Sequence, residues 1–311
     1  MLNRSTTLAA AVAAVGLAGH ASAQLIAADS FVTDGNANTY NDNANIGGQT
    51  SSVGITGFSG AWSSGSANIQ PDLVTLTQPP VTDAYAAGGK GVYVASSFDF
   101  YRSANHALDS YAQAGEYWMS FLVNPGGSFG SAGSSDGRAV VGFTNFYNSA
   151  TFNNDAGSAN LFGLSVGYKG TGAGGPDDFD LVMYARDGSG DAFDFVLNDT
   201  PVANETSLVL LKVTPQAGPD VVDYWVNPSD ASSEAALDLT AAQMGSYATF
   251  AFNTPGDVDR LSVTTSDWSR TFFYDEPRFA YDLASVAAIP EPTTAGVLAL
   301  AAGGFLVRRR R

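Results

Sequence analysis

The chain has 311 residues, 30 acidic and 14 basic side chains, two histidines and no cysteine, for a formal charge of −16 at pH 7. Absent cysteine excludes disulfides, thiolate zinc sites, iron–sulfur clusters and thiol catalysis. The acidity argues against a nucleic-acid partner, since no basic stripe is available to neutralise phosphates.

The N-terminus has the three parts of a secretory signal peptide. Arg4 supplies the positive region, Leu8 to Ala18 an eleven-residue apolar core, and Ala21-Ser22-Ala23 a small-x-small cleavage site. A core of that length is short of the roughly 20 residues that span a bilayer. The expectation is therefore export through the Sec translocon, removal of residues 1–23 and a mature chain that begins at Gln24.

From residue 24 to residue 288 the pattern is that of an all-β domain, in which period-2 alternation recurs and helical periodicity is scarce. The predicted strands are, in order, 91–98, 116–123, 138–146, 161–168, 179–186, 191–198, 207–214, 220–227, 258–265 and 271–281. Turn clusters such as NPGGS, GTGAGGPDD, DGSGD, QAGPD and NTPGD separate many of them. DGSGD joins two strands of matching length, so Phe179 to Asn198 reads as a hairpin. Only Asp230 to Ser246 has helix-favouring composition. Composition does not shift along this stretch and no repeat is visible, which points to one domain.

The C-terminus closes with Pro290-Glu291-Pro292, a 15-residue apolar run from Thr293 to Val307, and Arg308, Arg309, Arg310 and Arg311. The prolines make a stiff extended segment, the run suffices for transient membrane insertion, and the arginines hold that end on the cytoplasmic side. Together these parts resemble the PEP-CTERM sorting signal of Gram-negative bacteria. The resemblance implies that exosortase recognises Pro290, Glu291 and Pro292, while Arg308 to Arg311 retain the tail. Residues 289–311 would then be removed, and the protein delivered to the cell surface or the extracellular matrix. Without both ends the chain keeps 29 acidic and nine basic side chains, a net of −20. Such a surface stays soluble, repels anionic polymers and favours divalent cations.

Several phrases of the middle region, GFSGAW (57–62), EYWMSFLV, LFGLSVG, SLVLLKVT with DVVDYWVNPS, and FYDEPRFAYDLASV, are similar to concanavalin A-like, laminin-G-like jelly rolls. The resemblance implies two antiparallel sheets packed face to face, with the first and last strands adjacent. In EYWMSFLV both alternating sets are largely apolar, the mark of a strand covered on both faces or lining a concave surface. In DVVDYWVN, Val222, Tyr224 and Val226 share one face, with Val221, Asp223 and Trp225 on the other. A tryptophan beside an aspartate suits either a sugar platform or packing beneath a loop.

Catalytic chemistry is hard to find. His106 is the only histidine left after removal of the signal peptide, and it reads as a residue of a polar surface loop. There is no HExxH, GxSxG, Walker or dinucleotide-binding motif. Glycosidases need two carboxylates about 5–9 Å apart, and the related jelly-roll glucanases place them on alternate residues of one strand. None of the five glutamates belongs to such a set. Asp275-Glu276 are adjacent and followed by proline, which reads as a strand end. Asp191 and Asp194, three apart, also face opposite ways. Calcium, which takes about six to eight oxygens, could be held by Asp34 to Asn38, by Asp177, Asp178 and Asp180, or by Asp187 with Asp191. The first begins like an EF-hand loop but has Asn45 where a bidentate glutamate is needed. The expectation is a non-catalytic exported protein that binds glycan or exopolysaccharide, with Trp62, Trp118, Trp225 and Trp268 as aromatic candidates. The alternatives are a glycoside hydrolase or polysaccharide lyase of the same fold, and a purely structural matrix component.

Overall fold

A computed structural model of the chain describes residues 25–31, 39–41, 44–52, 55–64, 69–71, 92–95, 102–108, 115–125, 138–146, 161–171, 179–186, 192–199, 201–202, 205–216, 221–239, 245–247, 258–266 and 271–287. Its strands are β1 (Leu25–Asp29), β2 (Ile55–Thr56), β3 (Phe58–Ser64), β4 (Ile69–Pro71), β5 (Val92–Ala95), β6 (Arg102–Leu108), β7 (Tyr117–Asn124) and β8 (Arg138–Phe146). They continue with β9 (Leu161–Gly170), β10 (Phe179–Arg186), β11 (Ala192–Asn198), β12 (Ser207–Thr214), β13 (Val221–Val226), β14 (Gly245–Tyr247), β15 (Arg260–Ser266) and β16 (Thr271–Ala280). The two described helices are α1 (Glu234–Leu239) and α2 (Leu283–Ala287).

The strands form two antiparallel sheets, a jelly-roll sandwich. The nine-stranded sheet runs β14-β13-β12-β7-β16-β1-β2, with β5 also on β16 and β4 on β5. The seven-stranded sheet runs β11-β10-β9-β8-β15-β6-β3. First and last strands are neighbours, Ala27 opposite Phe279 and Ala28 opposite Arg278. The predicted hairpin is present as the β10–β11 pair.

Alternation explains the layers. Tyr117, Met119, Phe121 and Val123 of β7 and Val209, Leu211 and Val213 of β12 face the seven-stranded sheet. They meet Val141 and Phe143 of β8, Val166 and Tyr168 of β9, Leu181 and Met183 of β10, and Leu261 and Val263 of β15. Phe143 bridges the layers, with ring centroids 5.8 Å from Phe121 and 5.2 Å from Phe279. Each such aliphatic or aromatic side chain contributes about 1.5–3 kcal/mol by leaving water. The opposite set on β7 and its neighbours, Trp118, Leu122, Leu208, Leu210 and Trp225, packs with Leu237 of α1 and Leu283, Val286 and Ala287 of α2. Every residue of β7 is buried, as two apolar faces on one strand require.

Both helices are short and capped. Ser233 Oγ accepts from Ala236 N at 3.1 Å, and Asp282 Oδ1 accepts from Ser285 N at 2.8 Å. The helix-favouring stretch 230–246 holds one short helix, Glu234–Leu239. Gly245 and Ser246 are strand instead, because β13 offers its edge and pairs Tyr224 with Gly245 and Asp223 with Ser246.

Two further expectations are corrected. His106 is not in a loop: it lies in β6, opposite Leu261 of β15, and pairing along both edges of β6 substitutes for the weak alternation of RSANHAL. Asp275-Glu276 is not a strand end but a bulge within β16, where the register shifts between Asp275 and Arg278. Glu276 takes a positive φ of 48° there. Pro277 has no N–H to give to a ladder, so the strand bulges where β5 ends and β1 begins along β16. β1, β2, β3, β4 and β6 carry too little alternation to have been read from the sequence.

Candidate functional site

The two outer faces of the sandwich differ in chemistry. That of the nine-stranded sheet is sealed. Trp118 and Trp225 stack there with centroids 5.6 Å apart and planes 18° from parallel, beneath α1 and α2. Lys212 Nζ lies 5.5 Å from the Trp118 ring and is clamped by the carboxylates of Glu116, at 3.1 Å, and Glu234. Burial pulls the Lys212 pKa down, but hydrogen bonds to Glu234 and Glu116 outweigh it and leave the ammonium above its ordinary value. Trp225, 1% exposed, is no sugar platform, although Asp223 does stand beside it. Among the described residues the helices that cover it contribute Leu237, Leu283, Val286 and Ala287 as apolar anchors, too sparse a pattern to announce a lid from sequence.

The outer face of the seven-stranded sheet is paved with small residues. Antiparallel registers set Gly142 opposite Ser165, Thr144 opposite Gly163 and Val140 opposite Gly167 across β8 and β9. A Cβ on Gly142 would lie 2.2 Å from Leu164 O, and one on Gly167 2.0 Å from Ala139 O. These positions therefore require glycine, which lets β8 and β9 approach closely. One row crosses the sheet through Asn105, Ser262, Gly142, Ser165, Tyr184 and Asp194. The next carries Val140, Gly167, Val182 and Val196. Thr144 Oγ1 and Ser262 Oγ hydrogen-bond at 2.8 Å. Thr144, Ser165, Ser262, Val182 and Tyr184 are shielded from solvent, whereas Val196, at the sheet edge, is 46% exposed. Hydroxyls buried in this way are turned to partners within the fold, as Thr144 and Ser262 are to each other, and serine and threonine offer no proton-transfer group at neutral pH. None of this was legible as a site, because the row is assembled from six strands with one residue from each.

A third cluster ties the two sheets together. Asp29, fully buried at the end of β1, accepts from Tyr40 OH at 2.7 Å and from Phe31 N at 2.9 Å. Trp62 of β3 donates through Nε1 to Tyr40 OH at 2.9 Å. Burial, then the Asp29 charge, hold the Tyr40 phenol well above its ordinary pKa. Trp62 is 1% exposed and serves this latch rather than a ligand.

The buried acids Asp275 and Glu276 are engaged locally. Asp275 Oδ1 accepts from Glu276 N at 2.9 Å, and Glu276 Oε2 pairs with Arg278 Nη2 at 2.9 Å. Of the calcium candidates only Asp180 lies within the described residues, half-buried on β10; Asp34 to Asn38, Asp177, Asp178, Asp187 and Asp191 lie outside them. Among the described residues no three histidine, aspartate or glutamate side chains come together as a metal site. Trp268, the cleavage-site residues Ala21, Ala23 and Gln24, and the sorting residues Pro290, Glu291, Pro292 and Arg308 to Arg311 also lie outside the described residues. No described helix is long and apolar enough to cross a membrane.

No family model matches the chain, and no curated protein matches it closely. Among solved structures it is similar to the Emp47p carbohydrate recognition domain, at 10% identity over 85% of this chain and 99% of that one, with a TM-score of 0.44. The globular domain of T. cruzi calreticulin matches at 12% identity, 80% and 94% coverage and a TM-score of 0.41. Lectin UEA-II complexed with galactose matches at 10% identity, 61% and 86% coverage and a TM-score of 0.35. The sandwich assignment rests on the strand order of the chain itself, not on these distant likenesses.

Proposed function

We propose that the chain is an exported, non-catalytic protein of the cell surface or extracellular matrix of a Gram-negative bacterium. In this reading the Sec translocon carries it out on residues 1–23. The run from Thr293 to Val307 inserts transiently in the inner membrane, exosortase removes residues 289–311, and the sandwich of residues 24–288 stays outside. The observation that carries it is the order Pro290-Glu291-Pro292, apolar run and four arginines at one terminus, with a signal peptide at the other. A non-catalytic role is supported by the engagement of buried or clamped acids with internal partners: Asp29 with Tyr40, Glu276 with Arg278, Glu116 and Glu234 with Lys212. A glycan or exopolysaccharide is the ligand proposed for the sandwich. Calcium enters through the acidic stretches at Asp34, Asp177 and Asp187, and a melting midpoint that a chelator leaves unchanged removes it from the account.

Mass spectrometry of the C-terminus in the native host tests the export route. The expected result is an exported chain that ends near residue 289; an exported chain that still carries Arg308 to Arg311 overturns it. Retention of that exported protein on host polysaccharide tests the binding role separately. Failure to bind any polymer removes the glycan part and leaves processing intact.

A further inference from the structure

We infer that α1 is an autoinhibitory strap over a latent pyranose site on Trp225, closed in this structure and open in a minor population. The inference rests on the glycan reading above and adds to it a place and a gate. While α1 lies across it, Trp225 offers a ligand nothing. The two helices over the nine-stranded sheet are not held alike, however. α2 seats Leu283, Val286 and Ala287 in the apolar cluster, and Val286 O accepts from Ser120 Oγ at 2.8 Å. The strap that carries α1 leaves β13 at Asn227, which takes a positive φ of 48°. Asn227 is a fixed pivot, since its N donates to Leu208 O at 2.9 Å and its Oδ1 accepts from Leu208 N at 2.8 Å. Beyond it the strap closes on itself, Ser232 N donating to Asp230 Oδ1 and Ala236 N to Ser233 Oγ. Among the described residues it lends the cluster Ala231 and Leu237, and Glu234 pairs with Lys212, while residues 232–235 are exposed.

A six-residue helix has no stability of its own, and a half-exposed ion pair adds little. Leu237 is therefore the main anchor, and an element held so lightly is open in about 0.1–10% of molecules. Opening uncovers what a sugar ring takes. Trp225 Nε1 is a buried donor with no hydrogen-bond partner among the described residues. Lys212 lies beside the Trp118 ring that stacks on Trp225, and once Glu234 leaves it has a donor to give. A broad apolar face with donors at its margin suits the C–H face and the hydroxyls of a pyranose. In the closed arrangement the apparent affinity of that site falls by the fraction of molecules that are open.

The exported protein is collected from the native host as wild type, Leu237→Ala and Glu234→Gln, each checked for intact sheets by circular dichroism. Acrylamide quenching of the fluorescence that Trp225→Leu removes reads the strap, and affinity for exopolysaccharide from the same host reads the site. Leu237→Ala is expected to expose Trp225 and to bind about tenfold tighter than wild type or more. Adding Trp225→Leu to that chain should abolish the gain. Glu234→Gln, which leaves the apolar cluster untouched, should move both readouts the same way by a smaller factor. A Trp225 that stays shielded in both variants overturns the strap. Exposure without a gain, or a gain that survives Trp225→Leu, overturns the site; if wild type binds the polymer all the same, the glycan reading stands without it. No binding by wild type or by either variant overturns both.

Discussion

The hydroxyl of Tyr40 both donates to Asp29 and accepts from Trp62, so a single atom satisfies two buried polar groups. Tyr168 and Tyr274 bury hydroxyls as deeply with no hydrogen-bond partner among the described residues. The three positions should therefore respond differently to one chemical change. Tyr40→Phe removes a donor to Asp29 and the acceptor of Trp62 Nε1, which should cost about 1–3 kcal/mol. Tyr274→Phe removes a group that was already unmatched and should leave stability unchanged or raise it. Urea unfolding midpoints of the two variants check this, and equal losses would refute it. The sequence offered no route to this difference. Asp29, Tyr40 and Trp62 obey no spacing rule, and Trp62 was legible only as one of four tryptophans available to a ligand.

Within the elements, the tightest constraint is the close approach of β8 and β9. Their strand bounds were readable almost to the residue from RAVVGFTNF and LFGLSVGY, because alternation and β-branched residues coincide there. The need for glycine at residues 142, 163 and 167 was not, since it arises only from the neighbouring backbone. Gly142→Ala should destabilise by about 1–3 kcal/mol through overpacking against Leu164 and Ser165. Thermal unfolding measures it, and an unchanged midpoint would show that the strands can separate without loss. The bulge in β16 has a similar history. The strand was legible and Pro277 hinted at irregularity, but only the competition of β5 and β1 for one edge places the interruption mid-strand.

At the scale of the whole molecule, burial sets the response to alkali. Tyr168 and Tyr274 have phenol pKa values pushed well above the ordinary 10.0, by burial first and then by Glu205 for Tyr168 and by Tyr168 for Tyr274. Tyr40 is raised in the same direction. The unfolded chain loses these protons near pH 10 while the folded chain keeps them, so stability is fully present below that pH and falls as pH rises beyond it. Lys212 adds the same sign, because its clamped ammonium is stabilised until it deprotonates. Alkaline titration should accordingly show these tyrosines ionising together with loss of circular dichroism rather than before it. Tyrosinate absorbance that rises fully while the sheets persist would contradict the burial of these rings.

From the sequence alone come the all-β class, most of the long strands, the doubly covered strand β7 and the expectation of two addressing segments. Each is a local property, carried by alternation, turn residues, run length or charge order along the chain. Tertiary structure decided where α1 and α2 cover the nine-stranded sheet, where β8 and β9 need glycine, which tryptophans are core, and how Asp29 joins the sheets. Those facts depend on residues far apart in the chain that meet only when the sixteen described strands are laid in register. Pairing between strands depends on the complementarity of whole faces, which no short window contains.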